Sequence, residues 1–357
     1  MARVMMMAAG TGGHVFPGLA VARELMARGH SLCWLGTPAG MEQRLVPAAA
    51  IDMEVIDVKG LRGNGLLRWL FAPIVLLRAV WQALVILRRR KPNLVVGMGG
   101  FVTGPGGLGA RLLGIPLVIH EQNAVPGLAN RLLSHLAVRV LEAFPGSFAG
   151  AVGAMAVGNP VRPEIAAIPA PEGRWQQTSA ELPRLVIIGG SLGAQALNEL
   201  VPAAVAVAGL ELEIRHQAGK GKTVLAVESY QQAGVKVEVT EFIEDMAAAY
   251  QWADLIICRA GALTVSELAA AGLPAILVPY PYAVDDHQSR NAAYLADQGA
   301  AVVMQQGDMT SDSLGQRLQL LLTDRAGLKA MAIRAKTLAM PNADKAVADI
   351  CEEVMEK

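Results

Sequence analysis

The sequence predicts an α/β protein of two similar domains in succession, each a parallel sheet covered by helices. Three observations carry that prediction. Short apolar runs alternate with helical patterns along the whole chain, as strands joined by helical crossovers do. The alternation breaks once, in a segment at 159–183 rich in proline and polar residues, and then restarts. The length, 357 residues, suits two domains of roughly 150 residues each.

In the first half the candidate strands are RVMMMA, SLCWLG, MEVIDV, NLVVGM, PLVIHE and VRVLEA. They are β-branched or broadly apolar and mostly stop at glycine or a polar residue. Helical patterns lie between them, for example at 17–28 and 125–135. After the break, LPRLVIIGGSLGAQALNEL repeats the order strand, glycine turn, helix. LEIRHQ, VKVEVT, DLIICR and PAILVP follow as strands. The expected domains are therefore 1–161 and 162–340, with 341–357 a helix that packs back on the first. Two such Rossmann-like domains imply a cleft between them, with ligands at the carboxyl ends of the strands.

Composition narrows the class. Hydrophobic residues make up 53% of the chain and charged residues 17%, ample for two cores. Lysine plus arginine and aspartate plus glutamate number 31 each, so nothing global points to nucleic acid. Cys33, Cys258 and Cys351 are scattered, with no CxxC and no metal-ligand spacing, and are expected as core thiols in a reducing compartment. The start, MARVMMMAAG, has one arginine and too short an apolar run for a signal peptide. The longest apolar stretch, 66–87, contains Arg68, Pro73, Arg78 and Gln82, and is not expected to span a membrane.

Three glycine loops follow apolar strands and precede helices: GTGGH at 10–14, GMGGFVTGPGG at 97–107 and GGSLGA at 189–194. Glycine lets a backbone approach a phosphate without a Cβ, and a helix N-terminus offers unpaired N–H groups and partial positive charge. A single loop of this kind is equally a tight turn; three at matching strand ends favour binding. A nicotinamide dinucleotide is disfavoured. The first loop does not read GxGxxG, and the next strand ends SLCWLGTP without an acidic residue. A fourth helix start, RAGALTVSE at 259–267, follows DLIIC. Its amides suit a diphosphate and Glu267 suits a ribose diol, or the acid simply favours a helix N-terminus.

The motifs GTGGHVFPGLAVA, GMGGFVTGPGG, HEQNAVPGLAN, VGNPVR, GGSLGA, TEFIEDMAAAY, CRAGALTVSELAAAGLPAILVP and HQSRNA run in order from residue 9 to about 293. Together they resemble the MurG family, the N-acetylglucosaminyltransferases of peptidoglycan synthesis. The resemblance implies the two-domain glycosyltransferase-B fold. It implies transfer of GlcNAc from UDP-GlcNAc to the C4 hydroxyl of MurNAc in undecaprenyl-diphospho-MurNAc-pentapeptide (lipid I). Lipid II and UDP result, with inversion at the anomeric carbon and no cofactor, at the cytoplasmic face of the bacterial inner membrane. By the same resemblance Thr11, Gly12 and Gly13 meet the donor sugar and diphosphate, and Asn123 contacts the donor. Arg162 and Ser191 contact the diphosphate, and the Ile243 backbone pairs with uracil. Ala262, Leu263, Thr264, Val265, Ser266 and Glu267 form the phosphate-and-ribose helix start, and Gln288 meets a GlcNAc hydroxyl.

An inverting transfer needs a base within about 3 Å of the attacking hydroxyl. His14 is the candidate, because it ends the first glycine loop and imidazole titrates near neutrality. The alternative is a histidine capping a helix that begins near Phe16-Pro17. Glu121 and His120 end a neighbouring strand, and either could orient or replace it. No Asp-x-Asp triplet is present for a metal, and Asp285-Asp286 are adjacent rather than spaced. The departing diphosphate is therefore expected to rely on Arg162 and on helix starts at 191 and 262, without metal. The glycines of 97–107 form a candidate anion nest for the acceptor diphosphate, with Gly99, Gly100, Thr103, Gly104 and Gly106 as its residues. The stretch 60–91 pairs apolar residues, Trp69 and Trp81 among them, with Arg62, Arg68, Arg78, Arg88, Arg89, Arg90 and Lys91. It reads as a docking face for an anionic membrane, each basic residue adding about 1 kcal/mol near the surface, or as an ordinary helix packed on the sheet. A UDP-GlcNAc epimerase of related fold and a non-catalytic, membrane-bound UDP-GlcNAc sensor are the competing functions.

Overall fold

The computed structural model describes residues 1–58, 66–174, 182–190 and 193–356. The chain forms two compact units, Met1–Val161 with Asn342–Lys357, and Arg162–Pro341.

Among the described residues the first unit holds seven parallel strands: β1 (Arg3–Met7), β2 (Ser31–Gly36), β3 (Asp52–Val55), β4 (Leu94–Gly97), β5 (Leu117–Glu121), β6 (Arg139–Glu142) and β7 (Met155–Ala156). Their order is β3-β2-β1-β4-β5-β6-β7. The helices between them are α1 (Gly12–Ala27), α2 (Glu42–Ala48), α3 (Leu66–Arg90), α4 (Thr103–Leu112) and α5 (Leu128–Leu133). The central strands β4 and β5 are buried along their whole length, because helices cover both faces; hence their continuous apolar runs. The pleat of β1 sorts its side chains. Val4 and Met6 join Leu19, Leu25 and Trp34 on the α1 side, while Met5 and Met7 join Ala79, Leu87 and Ala110 of α3 and α4.

The second unit repeats the plan with β8 (Arg184–Ile188), β9 (Glu213–Gln217), β10 (Glu238–Thr240), β11 (Leu255–Cys258), β12 (Ala275–Leu277) and β13 (Ala301–Val303). All are parallel, in the order β10-β9-β8-β11-β12-β13. Its helices are α6 (Pro163–Ala166), α7 (Pro171–Arg174), α8 (Gln195–Ala208), α9 (Thr223–Gln232), α10 (Met246–Trp252), α11 (Ala262–Ala271), α12 (His287–Ala296), α13 (Ser311–Thr323) and α14 (Arg325–Thr337). The last helix, α15 (Ala343–Met355), returns to the first unit. Val347, Ala348, Ile350, Cys351 and Val354 enter the α1-side core. Arg28, which ends α1, donates to Asp349 Oδ1 at 2.6 Å and Glu352 Oε2 at 2.7 Å.

Several boundaries differ from the sequence reading. Helix α1 begins at Gly12, not residue 17. Two glycines of poor helix propensity hid its first turn, and Pro17 resembled an N-terminal proline. Likewise α4 begins at Thr103, so the second glycine loop is shorter than 97–107. In the proline-rich break, α6 and α7 bury Ile165 and Pro171, so that stretch is partly structured. The strands β7 and β13, of two and three residues, were not anticipated. All three cysteines are free and buried.

Candidate active site

In the first unit the loops after β1, β4 and β5 meet around His14. Thr11 is the exposed N-cap residue of α1, and Gly12, Gly13 and His14 are its first turn. The amides of His14 and Val15 already donate to Thr11 O, at 3.1 and 3.2 Å. The entrance to this turn is held by Glu42, a fully buried carboxylate absent from the sequence reading. It accepts from Gly10 N at 3.0 Å, Thr37 N at 2.9 Å and Thr37 Oγ1 at 2.6 Å. Burial alone would push this carboxyl up, but the donors from Thr37 and Gly10 outweigh it and hold it below the usual carboxylate value.

His14 is half-buried, its Nδ1 2.7 Å from Gln122 Oε1. The sequence singled out the residues on either side of Gln122 and passed over Gln122 itself. Glu121 is 2% exposed and accepts from Asn123 N, Asn123 Nδ2, Gly127 N and Asn130 Nδ2. Its carboxylate holds the β5–α5 turn. His120 is also sealed in, with Nε2 2.9 Å from Gly158 O, and burial lowers its pKa to about 4. Asn123 is half-buried beside Glu121.

The candidate anion nest also changes. Gly99 and Gly100 have φ of 98° and 82°. A Cβ on Gly99 would lie 2.6 Å from His14 Nδ1, and one on Gly100 would lie 2.4 Å from Ala9 O. Gly99 thus makes room for the imidazole. Thr103 is buried, and its hydroxyl donates to Gly99 O at 2.8 Å. Gly106 lies inside α4, where a Cβ would collide with Met7 Sδ, so the helix packs closely on β1 there. Gly104 has open space beyond its Cα apart from the Ala129 methyl at 3.9 Å.

In the second unit, Ser191 lies outside the described residues. The helix after that loop, α8, starts at Gln195 and not at 191. Gln217 ties neighbouring loops together, donating to Gly190 O at 3.0 Å and Glu241 O at 2.9 Å. Ile243 is half-buried just before α10, which Asp245 caps by accepting from Ala248 N at 2.8 Å.

The turn at 262 opens α11, with Gly261 as its extended N-cap residue. The first-turn amides of such a helix point out of its end. Val265 is buried and donates its amide to Gly261 O at 2.9 Å, while Ser266 Oγ donates to Ala262 O at 3.1 Å. That leaves Ala262, Leu263 and Thr264 at the open end. Arg259 braces the turn, donating to Val278 O, Pro279 O and Gln306 Oε1. Gln288 Oε1 accepts from Tyr280 N at 2.8 Å.

Glu267 faces the protein, not solvent, and is 4% exposed. Arg162 donates to its Oε1 from Nε at 3.0 Å and Nη2 at 2.8 Å, and the Tyr250 hydroxyl donates to Oε2 at 3.2 Å. Burial raises this carboxyl, with Arg162 opposing. Two residues expected to hold ribose and diphosphate separately are paired with each other.

Among the described residues no group of three or more His, Cys, Asp or Glu side chains could hold a metal ion. No described helix is long and apolar enough to cross a membrane.

Comparison with known proteins identifies the family. Residues 4–142 match the glycosyltransferase family 28 N-terminal domain, and residues 184–347 match its C-terminal domain. A protein of Aeromonas hydrophila is 54% identical over 98% of this chain and 96% of its own length. One of Stutzerimonas stutzeri is 53% identical over 99% of both. Both are named UDP-N-acetylglucosamine--N-acetylmuramyl-(pentapeptide) pyrophosphoryl-undecaprenol N-acetylglucosamine transferase. The crystal structure of Acinetobacter baumannii MurG superposes with a TM-score of 0.87 at 47% identity, covering 99% of this chain and 100% of that one. The glycosyltransferase VinC, at 17% identity and a TM-score of 0.67, shares the fold. The chain belongs to glycosyltransferase family 28, and within it to the MurG N-acetylglucosaminyltransferases.

Proposed function

We propose that the protein transfers GlcNAc from UDP-GlcNAc to the C4 hydroxyl of MurNAc in lipid I, giving lipid II and UDP. The observation that carries the reading is full-length identity of 51–54% to transferases of that name. It favours the transferase over a UDP-GlcNAc epimerase. His14 acts as the base: it takes the acceptor proton as the C4 oxygen attacks the anomeric carbon. The bond from that carbon to the UDP oxygen breaks, and UDP leaves with the electron pair. The geometry supports His14 in this role, since Nδ1 is engaged and no hydrogen bond reaches Nε2 among the described residues.

The second unit holds the donor. The open amides at Ala262, Leu263 and Thr264 suit its diphosphate, with Arg162 and Ser191 as further diphosphate contacts. Glu267 takes the ribose diol, the Ile243 backbone the uracil and the Gln288 amide a GlcNAc hydroxyl. Ribose binding then requires Glu267 to share or release Arg162. In the first unit Thr11, Gly12, Gly13 and Asn123 contact the donor sugar, while Gly99, Gly100 and Gly104 offer backbone to the acceptor diphosphate. The reaction uses no metal or other cofactor.

The acceptor is lipid-borne, and α3 supports a peripheral, membrane-bound location on the cytoplasmic face. One side of the helix is core, with Ala79, Ala83 and Leu87 buried. The other leaves Ile74, Leu77 and Trp81 exposed beside Arg78, whose side chain is 66% exposed. The adjoining α4 and α5 add Leu112, Leu128 and Leu132. Arg62 and the side chains of Arg68 and Trp69 lie outside the described residues. An apolar face with basic residues fits an anionic bilayer surface.

The test is incubation with UDP-GlcNAc and a lipid I analogue in EDTA. Disaccharide and UDP are the expected products. An epimerised UDP-sugar formed without acceptor overturns the reading, and dependence on added metal overturns its metal-free part. Sedimentation with anionic vesicles, lost at high salt and in Leu77→Ser/Trp81→Ser, tests the membrane face; equal binding to neutral vesicles counts against it.

A further inference from the structure

We propose that Gln122 and His120 are positioning residues that fix the tautomer of His14, holding its ring proton on Nδ1 and presenting the bare Nε2 to the acceptor hydroxyl. This rests on the reading of His14 as base.

Two backbone carbonyls, which can only accept, set the direction of the whole relay. Gly158 O lies 2.9 Å from His120 Nε2, so that nitrogen carries hydrogen. The ring is buried without an acidic partner on either nitrogen and stays neutral, so its Nδ1 presents a lone pair. The second carbonyl is that of His120 itself, 3.1 Å from the side-chain nitrogen of Gln122. Only the NH2 end of the amide can face a carbonyl. One N–H therefore goes to His120 O and the other to His120 Nδ1 at 3.0 Å. The amide oxygen is left pointing at His14 Nδ1, 2.7 Å away. An amide oxygen donates nothing, so His14 Nδ1 must be the donor. In the neutral ring Nε2 then holds the lone pair that a base needs.

The relay is rigid as well as directional. Gln122 is 1% exposed, and its backbone oxygen accepts from Asn159 Nδ2 at 3.0 Å. Gly99 confines His14 from its own side, since a Cβ there would lie 2.6 Å from Nδ1. Gln122 follows β5 directly, two residues after His120, and its amide bridges His120 and His14 while the Glu121 carboxylate goes to the β5–α5 turn. A fixed tautomer and orientation are what a third group supplies to a catalytic imidazole, here through a neutral amide and not a carboxylate.

The experiment is nitrogen NMR on the full chain labelled in its six histidines, with His14→Ala assigning the resonance. Above neutral pH the expected wild-type state is His14 protonated on Nδ1 and bare on Nε2. Gln122→Leu, which cannot accept, converts it to a tautomer mixture. Its kcat falls by about 10- to 100-fold, part of the ~10²–10⁴ a positioned base contributes, with the donor KM within about twofold. Gln122→Glu, protonated on the oxygen facing His120, keeps an acceptor at His14, the wild-type tautomer and most of the activity. A wild-type His14 protonated on Nε2 overturns the proposal, as does an unchanged tautomer in Gln122→Leu. Full turnover by His14→Ala removes the base reading, and the catalytic role of the relay with it, whatever the tautomer.

Discussion

Gly99 and Glu121 show how much a single residue decides. Gly99→Ala would place a methyl 2.6 Å from His14 Nδ1 at a φ of 98°, where L-residues are strained. The ring must move, so kcat falls about tenfold or more while donor KM is kept, given the ~10²–10⁴ at stake in the base. Steady-state kinetics with both substrates varied will check this; a change confined to acceptor KM would speak instead for a simple anion nest. Glu121→Ala has a different signature. It strips the acceptor from two backbone amides and two asparagine side chains. A loss of stability on the order of 3 kcal/mol is expected, since each charged hydrogen bond carries ~1.5–3 kcal/mol. Urea unfolding measures it, and an unshifted midpoint with selective loss of kcat would identify Glu121 as a catalytic group. The histidine was legible in the sequence because it ends a glycine cluster. The contacts within HEQN were not: four polar residues in a row look alike until their hydrogen bonds are known.

At the scale of elements, strand positions were readable because buried parallel strands are continuous apolar runs. Helix starts were not, because the same glycines that open the candidate sites also begin α1 and lie within α4. Propensity argues against helix at those positions, and packing on the sheet overrides it. The return of α15 to the first unit was expected from the sequence, but its clasp to α1 was not, since nothing local links Arg28 to Glu352 across most of the chain. Hydrogen bonds from His30 and Arg28 hold the Glu352 carboxyl below its usual value of 4.5. A depressed folded-state value means the unfolded chain takes up the proton first as the pH drops. The clasp is therefore complete above about 4.5 and is lost as pH falls through the lower folded value. Hydrogen exchange in α15 is expected to quicken over that acid range in the wild type. In Glu352→Gln the pH-dependence attributable to this carboxyl disappears, with a stability change of ~0.2–1 kcal/mol, typical of a surface pair. Identical acid profiles for the two proteins would refute this.

Over the whole molecule, each unit buries one neutral histidine, His120 in the first and His216 in the second. Burial lowers both to about 4, against 6.5 for the free side chain. His216 is held between the Tyr230 hydroxyl at 2.9 Å and Asn198 Oδ1 at 3.0 Å. Between 6.5 and 4 the unfolded chain binds protons that the folded chain refuses. Stability is thus fully present above 6.5 and drains as the pH falls to 4, by on the order of 3 kcal/mol in all for each histidine. Urea midpoints followed downward from neutral pH will show it; a flat response in the upper half of that window contradicts it. The α/β class was legible from alternation alone, and the two sheets share one strand plan. The two-residue β7 and three-residue β13 were not, being too short to display any period.

The return of α15 to the first unit governs how the protein must be made. Five of its side chains complete a core whose other members precede residue 162. A ribosome adding ~5–20 residues per second needs on the order of ten seconds or more to synthesise Arg162–Pro341 before that helix emerges. During that interval the nascent amino-terminal half carries an uncovered apolar groove along α1. A chain stalled or cleaved there is a natural client for chaperones, even when everything already translated has the right sequence.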